Sequence, residues 1–148
     1  MAALFFEGTT GGMIEDCELI RLDGNGIMVS GYNRNATIQG SDFSYIGGNA
    51  IAAWGYTNET ASDPGRPGVV IENHPAAGVD GTDGNHPRYT TVLSNTAREV
   101  GLYEKQSSFF VQAKTAQSVI LGNVFFNGAS SPGGGGGRGE GEGSCRSL

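Results

Sequence analysis

Apolar and polar residues along this chain follow a pattern that repeats after 24 residues. Segments 14–27 and 38–51 carry apolar residues at the same places, and Gly24-Asn25 falls on Gly48-Asn49. Self-similarity at a fixed period of this length predicts a solenoid, in which each repeat forms one layer. The matched apolar pairs are Ile14 with Ile38, Leu19 with Phe43, Leu22 with Ile46, and Ile27 with Ile51.

The spacing inside one repeat predicts strands. Apolar residues lie two or three positions apart, as at Ile14, Cys17, Leu19 and Leu22, which indicates strands broken by corners rather than an amphipathic helix. The 26 glycines in 148 residues are too many for stacked helices. No repeat shows the L-x-x-L-x-L-x-x-N pattern of a leucine-rich repeat. We therefore predict an all-β fold, a parallel β-helix of about four coils.

Later segments join the same register. Residues 92–101 align with residues 38–47, residues 108–111 with residues 50–53, and a further repeat begins at Ile120. Stacking the repeats predicts four apolar columns as the core: Ile14-Ile38-Val92-Ile120, Leu19-Phe43-Ala97-Phe125, Leu22-Ile46-Val100 and Ile27-Ile51-Phe109. A fifth column contains small residues at an inner corner, Cys17-Ser41-Asn95-Asn123. Their side chains would hydrogen-bond the backbone of the turn in the neighbouring layer.

Two stretches fall outside this register. Residues 56–89 hold four prolines, both histidines and several glycines, and we interpret them as a long excursion, a kind of loop that is either functional or disordered. Residues 129–148 are rich in glycine and serine, have almost nothing to bury, and are predicted to be disordered. The length indicates one domain, with the layers in residues 1–128.

Neither end of the predicted stack carries an evident cap. Residues 3–8 already align with the latter half of a repeat, and the last repeat stops near Asn127-Gly128. Because a solenoid end exposes open strand edges and normally needs a cap, we interpret the chain as a piece of a longer protein. A natural glycine-rich linker is the alternative.

Charge and cysteine content exclude little. The net charge of −6 gives no indication of nucleic acid or an anionic membrane as partner. Cys17 is predicted to face inward and Cys145 lies in the tail, so a disulfide between them is not expected. No membrane span or signal peptide is visible. Two N-glycosylation sequons, at Asn35 and Asn58, favour a secreted or extracellular protein.

Polar residues suited to a saccharide cluster at the end of the excursion and in a bulge at 103–108. Both insertions leave the stack from the same coil, so we expect them to face each other across one groove. Tyr103 would stack on a sugar ring, and one of the carboxylates would act as general acid or base. The hydrogen-bonding candidates are Asn85, His86, Arg88, Lys105 and Gln106, and the candidate catalytic carboxylates are Asp80, Asp83, Glu99 and Glu104.

The same residues have a plainer interpretation. Asp-Gly and Asn-x-Pro are ordinary turn sequences, and Lys and Glu are ordinary surface residues. Asp80 and Asp83 faintly suggest a calcium loop, but the D-x-[DN]-x-[DN]-G spacing fails. His74 and His86 have no cysteine near them, so zinc is not expected. We predict no metal and no cofactor, with calcium as the alternative.

Several segments resemble a known superfamily. Residues 17–25, 30–38 and 51–55 are similar to the right-handed β-helix proteins of the pectin-lyase-like superfamily. Residues 101–108, with Gln112-Ala113 and the segment 123–128, resemble a carbohydrate-active branch that includes glycoside hydrolases. The resemblance covers residues 3–128 and implies a right-handed single-stranded parallel β-helix with a polysaccharide as partner. It transfers no catalytic residue, since the chain departs from the pattern at Ala129.

The resemblance thus implies a fragment of a polysaccharide-active protein, whose parent would be a glycoside hydrolase or polysaccharide lyase. The fragment itself would bind glycans and lack activity. The alternative is a non-enzymatic β-helix with a structural or adhesive role at a surface.

Overall fold

A computed structural model describes residues 1–55 and 84–128 of the chain, and these residues contain strands but no helix. Residues 56–83 of the predicted excursion at 56–89 and the tail from 129 lie outside the described residues. The strands are β1 (Ala2–Thr10), β2 (Met13–Glu15), β3 (Glu18–Leu22), β4 (Asn25–Arg34), β5 (Thr37–Gln39), β6 (Asp42–Ile46), β7 (Ile51–Trp54), β8 (Pro87–Arg88), β9 (Thr91–Leu93), β10 (Thr96–Val100), β11 (Phe110–Ala113), β12 (Val119–Leu121) and β13 (Val124–Phe126).

The strands form three parallel sheets. Sheet A has the order β1-β4-β7-β11 with β8 beside β4, sheet B has the order β2-β5-β9-β12, and sheet C has the order β3-β6-β10-β13. Apart from β8, the chain visits sheets A, B and C in the same order four times, and we call each visit a circuit. The fold is therefore all-β with parallel sheets, an arrangement compatible with a parallel β-helix.

The strand pairing confirms the register predicted from the 24-residue repeat. Leu19 pairs with Phe43 and Phe43 with Ala97, and Ala97 in turn pairs with Phe125. The column from Ile14 through Ile38 and Val92 to Ile120 is formed in sheet B in the same way. The central members of these columns are buried, and Phe43 is 0% exposed, so the inward columns form the core.

One predicted pairing and one predicted orientation are wrong. In sheet A, Ile51 pairs with Phe110 rather than with Phe109, because the insertion before β11 is one residue longer than the alignment assumed. Phe109 is nevertheless buried and belongs to the core, as predicted. Cys17 is exposed rather than inward-facing. It lies between β2 and β3, which are edge strands, so no further circuit covers its thiol.

The predicted fifth column forms a hydrogen-bonded ladder. The Asn95 side-chain oxygen accepts from the Ser41 backbone N–H at 3.0 Å, and its amide nitrogen donates to the Ile38 carbonyl at 2.9 Å. Asn123 repeats this arrangement one circuit on, since its Oδ1 accepts from the Asn95 N–H at 2.9 Å and its Nδ2 donates to the Val92 carbonyl at 2.9 Å. The corner between sheets B and C therefore leaves few peptide groups unpaired.

Each turn of direction uses one residue in the left-handed conformation. Three equivalent positions of every circuit have φ between 51° and 70° and stack into columns across the circuits, and Gly8 and Gly31 add a fourth in the first two circuits. This conformation is uncommon for residues other than glycine, yet most of these residues carry side chains. The columns are Gly11-Asn35-Tyr89-Gln117, Asp16-Gly40-Ser94-Gly122 and Arg21-Tyr45-Glu99-Asn127.

The core column through sheet C predicts a large effect of one substitution. Phe43→Ala should lower the free energy of unfolding by about 3–5 kcal/mol, since it leaves a cavity beneath fully covered strands. Tyr45→Ala, two residues along the same strand but 43% exposed, is the matched control and should cost less than about 1 kcal/mol. Urea unfolding of both variants measures the difference, and equal losses would contradict the assigned core.

The asparagine ladder predicts a second effect. Asn95→Ala should lower the free energy of unfolding by about 2–5 kcal/mol, because the Ser41 N–H and the Ile38 carbonyl each lose a buried partner. Asn123→Ala removes the same bonds at the partly exposed fourth circuit and should cost about half as much. Thermal unfolding of the two variants tests this order, and a larger loss for Asn123→Ala would contradict it.

Candidate functional site

The bulge between β10 and β11 is held by backbone hydrogen bonds. The Tyr103 and Glu104 N–H groups both donate to the Gly47 carbonyl, at 3.1 and 3.0 Å, and the Ser107 N–H donates to the Glu104 carbonyl at 3.0 Å. A side chain at Gly47 would collide with the Asp23 carbonyl and the Tyr103 ring. Glycine at this position therefore lets the bulge lie directly on the preceding circuit.

An open depression of about 350 Å³ lies on this bulge. Its lining is polar and consists of Asn49, Glu104, Lys105, Gln106 and Ser107. Asn49 is fixed from both sides, since its N–H donates to the Asn25 side-chain oxygen at 2.8 Å and its own side-chain oxygen accepts from the Ser108 N–H at 2.8 Å. The floor of the depression is thus rigid, while the side chains of Glu104, Lys105 and Gln106 are exposed.

The sequence predicted three substrate-binding residues in this bulge, and the structure brings them together. Lys105 and Gln106 line the depression, and Tyr103 lies next to them with 70% of its side chain exposed. Asn49 was not among the predicted residues. Its signal in the sequence was the repetition of Gly24-Asn25 at Gly48-Asn49.

The other predicted binding residues lie elsewhere. Pro87 and Arg88 form β8, which pairs with Asn33 and Arg34 at the end of β4. The chain has therefore rejoined sheet A before residue 89, where the predicted excursion ended. His86 is 6% exposed and Arg88 is 2% exposed, and Asn85 is partly buried. These side chains contribute to packing at this corner, and His86 and Arg88 offer little surface to a ligand.

Among the described residues, the two insertions do not form the expected groove. The bulge precedes β11 and contacts the residues before β7, so it lies at the start of the sheet A strands. Residues 86–88 lie at the opposite ends of these strands, beside Arg34. The ten residues of β4 would span at most about 33 Å at about 3.3 Å per residue, and less because Gly31 within the strand has a φ of 61°. Residues 84–88 and the bulge therefore lie at different corners of the fold.

A buried arginine holds the corner at residues 84–88. The Arg34 guanidinium donates to the carbonyl oxygens of His86 at 2.6 Å and Gly84 at 3.2 Å, and it lies 4.1 Å from the centre of the Tyr32 ring. Arg88 donates to the Gln117 side-chain oxygen at 2.9 Å. We did not predict Arg34, since an arginine within a strand carries no sequence signal of burial.

The candidate carboxylates are not gathered in one place. Glu104 lines the depression, whereas Glu99 lies in β10 and accepts a hydrogen bond from the Asn127 amide at 3.0 Å. Asp80 and Asp83 lie outside the described residues, and so does the calcium alternative that rests on them. Among residues 1–55 and 84–128, no group of three or more His, Cys, Asp or Glu side chains could hold a metal ion.

Comparison with family models, with curated proteins and with solved structures finds no match for this chain. In the part of the chain that the structure describes, there is no helix that could cross a membrane.

The environment of His86 predicts a pH effect on stability. Burial lowers the pKa of His86 below the usual 6.5, and the positive charges of Arg34, Arg88 and Lys114 lower it further. The unfolded chain therefore binds a proton at this histidine at higher pH than the folded chain does. Above about pH 6.5 His86 is neutral in both states and does not lower the stability. As the pH falls from 6.5 toward the folded pKa, protonation of the unfolded chain lowers the free energy of unfolding.

His86→Gln removes this titration and should flatten the stability profile just below pH 6.5, which unfolding measured at several pH values will show. NMR titration of the imidazole gives the folded pKa directly. A folded pKa above 6.5 would contradict the predicted direction.

Proposed function

We propose that the chain is a right-handed parallel β-helix of about four coils, similar to the pectin-lyase-like proteins. The parallel pairing in three sheets, visited in a constant order, supports this assignment. So do the stacked columns of left-handed corner residues, since such repetition requires that successive circuits lie in register. The handedness rests on the resemblance of the sequence segments and on the preference of parallel connections for the right-handed form.

We propose further that the depression on the 103–108 bulge binds a glycan. The observation that carries this proposal is Tyr103, a residue that is 70% exposed although its backbone N–H is bonded to the Gly47 carbonyl. A fixed, exposed aromatic ring beside amide, ammonium and carboxylate groups can stack on the apolar face of a sugar while the polar groups bond its hydroxyls. Lys105 would in addition favour an acidic sugar.

Binding without hydrolysis fits this depression best. Glycoside hydrolysis usually needs two carboxyl groups on either side of the scissile bond. Glu104 is the one carboxylate among the described residues that line the depression. A non-enzymatic, adhesive role of the described part therefore stands as the second candidate. We also propose that the parent protein degrades a polysaccharide, which the family resemblance supports. Secretion is a further proposal, supported by the exposed Asn35 of the first sequon.

Tyr103→Ala should weaken glycan binding about tenfold, because the loss of a stacked ring costs about 1.4 kcal/mol, which equals one decade in Kd. A glycan array of plant and algal polysaccharides identifies which glycans bind, and isothermal titration calorimetry then measures their Kd for both proteins. Tyr45→Ala is the matched control, since Tyr45 is also an exposed tyrosine but lies on β6.

Lys105→Ala should weaken acidic glycans more than neutral ones. Arg88, which we first expected to share this role, is 2% exposed, so it is not included in the test. Absence of binding to any glycan, or binding that survives both the Tyr103 and the Lys105 substitutions, would overturn the proposed site.

A further inference from the structure

Both ends of the stack expose apolar side chains at positions that are buried in the middle. Ile120 belongs to the same column as Val92, yet Ile120 is 39% exposed and Val92 is 0% exposed. On the first circuit, Leu4 is 39% exposed, whereas Ile27, with which it pairs, is 0% exposed. Each end therefore presents core positions that are only half covered among the described residues.

The two ends are complementary as strand edges. The first circuit consists of β1, β2 and β3, and the fourth of β11, β12 and β13. Among the described strands, each of these six has a neighbour on one side only. All strands within a sheet run in parallel, so the free edge of the fourth circuit has the direction needed to pair with the first circuit of another copy. Two fourth circuits facing each other would reverse one set of strands.

Continuing the observed register by one step matches like residues. Ile14 of a second copy would follow Ile120, because both belong to the Ile38-Val92 column. Leu19 would follow Phe125 in the same way, and Leu4 would follow Phe110 in sheet A. The apolar columns would run on without a break. The side-chain ladder would be weaker there, because a Cys17 thiol, a weak acceptor, would follow Asn123.

Charge favours the same arrangement. Residues 1–24 hold five acidic side chains and one basic side chain, Arg21, whereas the single charged side chain of residues 110–128 is Lys114. A first circuit next to a fourth circuit brings unlike charges together, while two first circuits would repel each other. In the continued register Glu15 would follow Leu121, and Glu18 would follow Val124.

We propose that a second copy of this chain stacks its first circuit on the exposed fourth circuit, head to tail and in the register of the fold. Such a heterologous contact does not close on itself, so it extends into linear chains whose length grows with protein concentration. The strand spacing of about 4.7–4.9 Å would continue across the junction. This inference does not depend on the glycan site, which lies on a side of the stack.

The proposed register can be tested with two matched double variants of the full 148-residue chain. Leu121→Glu with Val124→Glu places acids beside Glu15 and Glu18 of the next copy, whereas Leu121→Lys with Val124→Lys places cations there. Both original side chains are exposed, 60% and 56%, so both double variants should fold, which circular dichroism checks. Like charges directly opposite in adjacent strands disfavour pairing.

Sedimentation velocity over a range of concentrations should show linear multimers of the natural chain. The glutamate variant should need at least about tenfold more protein to assemble, roughly 1.4 kcal/mol, while the lysine variant should assemble at least as well as the natural chain at low salt. A natural chain that stays monomeric at every concentration would overturn the proposal. Equal assembly of the two folded variants would also overturn it, since the proposed register requires opposite effects.

Discussion

The structure depends on the hydrogen bonds between strands one circuit apart. At the start of each sheet C strand after β3, a backbone N–H donates to a carbonyl of the preceding circuit. These bonds run from Asp42 to Cys17, from Thr96 to Ser41 and from Val124 to Asn95, each at 2.9 Å. The register of each circuit is thus fixed by hydrogen bonds to the neighbouring circuit. The same requirement explains why the end circuits are more exposed than the middle ones and why the core columns run parallel to the stack.

The register could be predicted from the sequence because two sets of residues repeat at the same spacing. The apolar columns and the asparagine column appear as a repeat of residue types at fixed spacing, and a parallel ladder converts that spacing directly into contact. The left-handed corners could not be predicted in the same way. Arg21 and Tyr45 adopt this conformation without the glycine or asparagine that usually signals it, so the geometry is imposed by the stacking of neighbouring circuits and not by the local residues. The position of Phe110 opposite Ile51 depends on the path of the bulge, which has no repeat to align.

The candidate site was only half predictable for a related reason. Tyr103, Lys105 and Gln106 are neighbours in the chain, so a local bulge was enough to bring them together. The expected partnership with Arg88 and His86 depended on which corner of the stack each insertion leaves. Sequence separation does not report the corner, since an insertion can interrupt a circuit before or after a strand of sheet A. Burial of Arg34 and Arg88 then follows from the pairing of β8 with β4.

Through-hydrogen-bond NMR couplings between amide nitrogens and carbonyl carbons test the stacked register most directly. The account predicts correlations from Asp42 to Cys17, from Thr96 to Ser41 and from Val124 to Asn95, which together cross all four circuits. Couplings that link these amides to carbonyls in any other register, or to strands running in the opposite direction, would contradict it.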